Sequence, residues 1–116
     1  MRKKIDTLLI KGHKYRDPDY SATRLAEELG IENYALSKIL KKEYGCSYSD
    51  MVLSLRIEDA KQHLANPHKA NLTIDEIGIL VGFKNRVSFF QAFRRFTGDT
   101  PEEYRKKTLP KHLIKY

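Results

Sequence analysis

Little in this chain points to chemistry. Cys46 is its one cysteine, so no disulfide can form within the chain, and a reducing, cytoplasmic setting is the simpler expectation. No run of about 18 apolar residues occurs, which argues against a membrane-spanning helix, and the basic start lacks the apolar stretch of a secretion signal. His13, His63, His68 and His112 are scattered without paired ligand spacing, and Cys46 has no CxxC partner, so no metal site is expected. There is no GxSxG, no glycine-rich phosphate loop and no carboxylate pair with an evident role. The reading is a protein without catalytic residues or cofactor, not an enzyme.

What the chain has in excess is positive charge. Its 116 residues carry 22 lysines and arginines against 15 acids, a formal charge of +7. A balance of this kind says something about partners and nothing about fold. The cations cluster at Arg2, Lys3, Lys4, Lys11 and Lys14, at Lys38, Lys41 and Lys42, and at Arg94, Arg95, Arg105, Lys106 and Lys107. That distribution favours double-stranded DNA as partner.

The stretch from Thr73 to Arg105 is the most informative. Thr73 followed by Glu76 is a capping-box pattern, Ile74, Ile77, Leu80 and Val81 recur at helical spacing, and Gly82 can end a helix at positive φ. Phe83 is then an apolar pin and Asn85 a helix cap. Phe89, Phe93 and Phe96 mark the buried stripe of a second helix that stops at Gly98. Two helices joined by a short glycine-containing turn make a helix-turn-helix. The competing, less favoured description of this segment alone is a helical hairpin with a solvated basic face.

Taken from the start, Ile5, Leu8 and Leu9 give an apolar stripe for a first helix ending near Gly12 or Lys14, and Asp17-Pro18-Asp19 is a turn. Ser21 caps a helix burying Leu25, Ala26 and Leu29 and closed by Gly30. Asn33 caps the next, with Leu36, Ile39 and Leu40 inward and Gly45 at its end. This segment repeats the later one. Setting Gly30 on Gly82 places Ser21 on Thr73, Ala26 on Gly78, Ile31 on Phe83 and Asn33 on Asn85. A one-residue insertion after that places Leu36 on Phe89, Leu40 on Phe93, Lys41-Lys42 on Arg94-Arg95 and Gly45 on Gly98. Agreement at caps, pins, core and basic pairs together displaces the plain-hairpin description. Between the copies, Ser47 and Asp50 start a long helix with Met51, Leu55, Ala60 and Leu64 as its stripe, ended by Asn66-Pro67. Thr100-Pro101-Glu102-Glu103 opens a short final helix bearing Tyr104. The expected architecture is all-α with about seven helices: two helix-turn-helix units, about 21–45 and 73–98, joined by a linker helix at about 48–65. A final helix at about 101–107 completes one domain over 1–107, and 108–116 is a tail.

From about Ser21 to Lys107 the chain resembles the DNA-binding domain of the AraC/XylS transcription regulators. The resemblance rests on Leu25-Ala26, Leu36-Ser37-Lys38, Gly45, Arg56-Ile57, Ala60, Ile77, Val81-Gly82-Phe83, Phe89, Phe93, Gly98, Thr100-Pro101 and Tyr104-Arg105. It implies one recognition helix from each unit in successive major grooves, and a chain that is the DNA-binding part of a larger bacterial-type regulator. Carried over by position, the base-reading places fall on Tyr34, Ser37 and Lys38 in the first recognition helix and on Arg86, Val87, Phe90 and Gln91 in the second. Lys38 or Arg86 could meet guanine or only phosphate, Gln91 suits adenine, Tyr34 suits phosphate as well as a base, and Phe90 is either a thymine-methyl contact or a core edge. Lys41, Lys42, Arg94 and Arg95 suit phosphate, and Arg56 resembles a brace between helices. RNA polymerase is a second candidate partner. The domain alone is expected to be a monomer, with dimerisation left to a domain elsewhere. The rival class is a helical protein-interaction module that touches RNA polymerase or a sensor. Three positions depart from the family: Gly78 where alanine is usual, Phe90 where a small polar residue is common, and Gln91 where arginine is common. Gly78 is expected to face the recognition helix, with alanine tolerated there and leucine overpacking it by about 1–3 kcal/mol.

Overall fold

A computed structural model describes residues 1–110 and 112, and all regular structure among them is helical. The α-helices are α1 (Arg2–Ile5), α2 (Ala22–Leu29), α3 (Asn33–Tyr44), α4 (Tyr48–Ala65), α5 (Ile74–Val81), α6 (Arg86–Thr97) and α7 (Pro101–Thr108). The chain divides into two units, Met1–Leu55 and Arg56–Tyr116, with α4 running unbroken across the division. Two helix-turn-helix units and a long linker helix are therefore present, as the sequence leads one to expect.

In the first unit α1 continues through Asp6–Lys11 as π-helical turns, closed where the Gly12 amide donates to the Thr7 carbonyl at 3.0 Å. Ile5 and Leu9 on this segment are fully buried and join Leu25, Ala26, Leu36, Leu40, Met51 and Val52 in one apolar cluster. Burying a Leu or Ile side chain is worth about 1.5–3 kcal/mol each. A unit this small is marginal by its surface-to-volume ratio, and the N-terminal segment enlarges its core. Tyr44 ties α3 back to that segment, its hydroxyl donating to Asp6 at 2.6 Å while Arg2 lies 4.9 Å from its ring centre. Tyr20 donates likewise to Glu28 at 2.8 Å. Cys46 is partly covered and its thiol is pushed up by burial, the state of a packing residue.

The second unit is built around aromatic rings. Phe89 and Phe93 are completely buried, 5.9 Å apart in an edge-to-face pair, with Phe83 tilted on Phe89 at 5.2 Å and Tyr104 edge-on to Phe93 at 5.5 Å. Ile57, Ala60, Leu64, Ile77 and Val81 are buried around them. Arg56 lies 5.6 Å from the Phe83 ring, in keeping with a bracing role. Arg105 is also buried, its guanidinium donating to the carbonyls of Leu72 at 2.7 Å and Lys69 at 3.1 Å. It fastens the segment that leads into α5.

Several expectations are corrected. Phe96 and Leu80 are exposed, at 37% and 40%, so neither belongs to the stripe assigned to it. Leu55 and Ile39 are only partly covered, and the stripe on α4 uses Met51 and Val52 early and Ile57, Ala60 and Leu64 late. Glu76 reaches back to the Thr73 hydroxyl at 3.1 Å, where a full capping box would engage the backbone. The complete box is at α7, where the Thr100 amide donates to the Glu103 carboxylate at 2.9 Å and the Glu103 amide donates to Thr100 Oγ1 at 3.1 Å; the bond from the Thr100 amide, and then that from its side chain, hold the Glu103 carboxyl below the usual carboxylate range. Within the expected tail, Thr108 closes α7 and Leu109 is buried, while Lys111 and residues 113–116 lie outside the described residues.

Candidate nucleic-acid interface

The two recognition helices are held by the same local devices. Ser21 Oγ accepts from the Arg24 amide at 3.1 Å to start α2, and Thr73 Oγ1 accepts from the Glu76 amide at 3.0 Å to start α5. At the other end Gly30 and Gly82 take positive φ, 72° and 119°. The next residue then folds back, Ile31 donating to Ala26 and Phe83 to Gly78, each at 3.0 Å. This glycine closure satisfies carbonyls that would otherwise be orphaned, and it turns the chain sharply into the recognition helix. Each recognition helix has 12 residues and ends on another positive-φ glycine, Gly45 or Gly98.

The copies differ in the turn. Asn85 caps α6 by accepting from the Ser88 amide at 2.9 Å, but Asn33 is already the first residue of α3 and its side chain donates to Thr23 at 3.0 Å. Glu32 precedes α3 with no side-chain cap bond. The extra residue of the second copy therefore lies in the turn, ahead of the helix. With the helix starts aligned, Tyr34 matches Val87, Ser37 matches Phe90, Lys38 matches Gln91 and Lys41 matches Arg94.

In α3 the structure brings Tyr34, Ser37, Lys38 and Lys41 onto one exposed face opposite the buried Leu36 and Leu40, with Lys42 exposed beside them. Tyr34 is 68% exposed, and the Lys38 ammonium lies 4.5 Å from its ring centre. That contact gives a long, mobile lysine a preferred direction away from the core. In α6 Val87, Gln91, Arg94 and Arg95 are exposed, and Val87 is an apolar side chain held 63% in solvent. Phe90 is half-buried, edge-on to Phe89 at 6.0 Å, so part of its ring packs at the edge of the core and part stays exposed.

Arg86 is placed differently from the other arginines on α6. It opens the helix, and its guanidinium donates to Asp75 of α5 at 3.0 Å and to Glu102 of α7 at 3.2 Å while lying 4.3 Å from the centre of the Phe90 ring. Sequence reasoning missed both carboxylates. They stand 11 and 16 residues from Arg86, at spacings that no local pattern makes significant. Gly78 does face the recognition helix, as expected, but a Cβ there would sit 2.6 Å from Cδ2 and 2.9 Å from Cγ of the buried Phe89 ring. Alanine is therefore an overpacking substitution at this position. Among the described residues no group of three His, Cys, Asp or Glu side chains is arranged to hold a metal, and no helix is long and apolar enough to cross a membrane.

Comparison with known proteins agrees with this geometry. A family model described as a helix-turn-helix domain matches residues 25–107. The raffinose operon transcriptional regulatory protein RafR of Pediococcus pentosaceus is 33% identical over 82 residues, covering 71% of this chain and 28% of its own length. The chain thus spans under a third of that curated relative. Among solved structures, the C-terminal domain of AraT, a response regulator from Geobacillus stearothermophilus, superposes with a TM-score of 0.81 at 25% identity, over 94% of this chain and 85% of that one. The DNA-binding domain of AdpA, a global transcriptional factor solved with a target DNA, shares the fold at a TM-score of 0.78 and 19% identity, over 91% of this chain and 89% of that one.

Proposed function

Since the chain belongs to the AraC/XylS family of transcription regulators, whose helix-turn-helix DNA-binding domain it carries, we propose that it reads one asymmetric duplex site with α3 and α6 in successive major grooves and so controls transcription. The observation that carries this reading is the duplicated helix-turn-helix with its exposed faces. Tyr34, Ser37, Lys38 and Lys41 project from one recognition helix, and Val87, Phe90, Gln91 and Arg94 from the other, each set opposite a buried stripe.

The chemistry suits the major groove. Lys38 can donate to guanine O6 and N7, Gln91 can pair with adenine N6 and N7, and Val87 with the outer side of Phe90 can pack on thymine methyls. Arg86 joins this set from the start of α6. Lys41, Lys42, Arg94 and Arg95 serve the phosphates and fix register without selecting sequence. The AdpA domain, alike in fold, is seen on its target DNA. The reading includes a cytoplasmic setting, a single chain per site and RNA polymerase as candidate protein partner.

The test is selection of bound duplexes from a random pool, followed by titration of the selected and a random duplex at several salt concentrations. Log affinity should fall steeply and linearly with log salt. Lys38→Ala should weaken the selected site by about 1–3 kcal/mol and the random duplex less. Equal losses would make Lys38 a phosphate contact. Absence of any enriched sequence would overturn the reading in favour of a protein-interaction module.

A further inference from the structure

Arg86 is the one member of the proposed reading set whose charged group is already engaged by two carboxylates in the structure. Three helices of the second unit meet at this point: α5 supplies Asp75 in its first turn, α7 supplies Glu102 in its first turn, and α6 begins at Arg86. One guanidinium nitrogen, Nη1, donates to Asp75 and the other, Nη2, to Glu102, and the planar group lies over Phe90. All three charged side chains are about half exposed, at 53–55%, so the arrangement is at the surface and competes with water.

Resting on the DNA-binding reading above, we propose that Asp75 and Glu102 are specificity-determining residues that act through Arg86. An arginine on a recognition helix has two uses. Held in one direction, it presents its remaining donors to one base edge; left mobile, its long side chain swings to whichever phosphate is nearest and stabilises any sequence. Two carboxylates and a ring fix both the plane and the position of the Arg86 guanidinium, which removes the second use. They also set two anions directly against the one guanidinium, which offsets its own attraction for a phosphate. Each exposed pair alone is weak. Their joint effect is to restrict direction, and direction is what separates base reading from backbone attraction.

The experiment is a double-mutant cycle on DNA binding. Wild type, Asp75→Asn/Glu102→Gln, Arg86→Ala and the triple variant are titrated with the selected and a random duplex at several salt concentrations, with Glu58→Gln as a control for the loss of an acid elsewhere. The carboxylate variant is expected to bind the random duplex about three- to fivefold more tightly, with a salt slope steeper by about one, and to lose selectivity. With Arg86 replaced by alanine, the same two substitutions should change binding no more than the Glu58 control does. Unchanged selectivity and slope in the carboxylate variant, or an equal gain with and without Arg86, would overturn the proposal while leaving DNA binding intact. Failure of the wild-type domain to bind either duplex would overturn both. Because Asn and Gln keep the side-chain volume at positions that are about half exposed, the variants should fold, and matching melting curves check this.

Discussion

At the scale of single residues, Gly78 shows how one atom separates the two copies of the motif. The first copy has Ala26 at this place, facing the helix that buries Leu36, and the second has Gly78 facing Phe89. Phe89 takes up the room that a methyl group would need, and it cannot retreat because Phe83 and Phe93 pack against it. Gly78→Ala should therefore lose about 1–3 kcal/mol despite alanine's better helix propensity, seen as a lower melting temperature. In a Phe89→Leu background the alanine should cost measurably less. A melting temperature that does not fall in Gly78→Ala would mean the ring is freer to shift than its contacts indicate.

Among the elements, the N-terminal segment is the one whose attachment can be followed by pH. Its bond to α3 runs through the Tyr44 phenol, which donates to Asp6. Burial first, and then the hydrogen bond to that carboxylate, push the phenol up to about 12 from 10. A phenol whose folded pKa is raised stabilises the fold in its protonated form. The contribution is complete below the unfolded value and disappears as pH climbs from about 10 through about 12. Tyr20, raised in the same direction by burial and by its bond to Glu28, adds to the same alkaline limb. Tyr44→Phe should flatten part of the loss of stability above about pH 10, measured by denaturant titration at fixed pH steps, and should leave its neutral-to-acid profile largely unchanged. An identical alkaline limb in the variant would show that the phenol is not protonation-linked to folding.

For the whole molecule, the proposal of two unlike readers on one chain predicts a particular dependence on DNA geometry. If α3 and α6 enter successive major grooves, their half-elements lie about 10 base pairs apart on one face of the duplex, and an insertion of about 5 base pairs turns one half-element to the far side. Specific affinity should then drop to near that of a single half-element. α4 links the units as one continuous helix of 18 residues, which offers no loop to absorb the change. Near-equal affinity for the two duplexes would show that the readers dock independently, and two chains per site in the titration would exclude the monomer.

Much of the fold is legible in the sequence. Ser21, Thr73, Asn85 and Thr100 each accept from an amide three residues ahead, and Gly30, Gly45, Gly82 and Gly98 each close a helix at positive φ. Such devices depend on bonds between near neighbours, so they are written in residue type and spacing, and their repetition exposed the duplication. Periodicity also placed Leu25, Leu36, Leu40, Ile77, Phe89 and Phe93 in the core, but it could not tell that Phe96 and Leu80, with the same spacing, would stay exposed. Which turn of an amphipathic helix is covered depends on what packs there, and that is a property of partners far along the chain. The same holds for the collision between Gly78 and Phe89, for Arg105 fastening a segment more than thirty residues earlier in the chain, and for Arg86 held between Asp75 and Glu102. Local hydrogen bonds and apolar spacing specify helices and their ends; only the packing of distant segments decides which side chains meet, and those meetings set the direction in which a reading residue points.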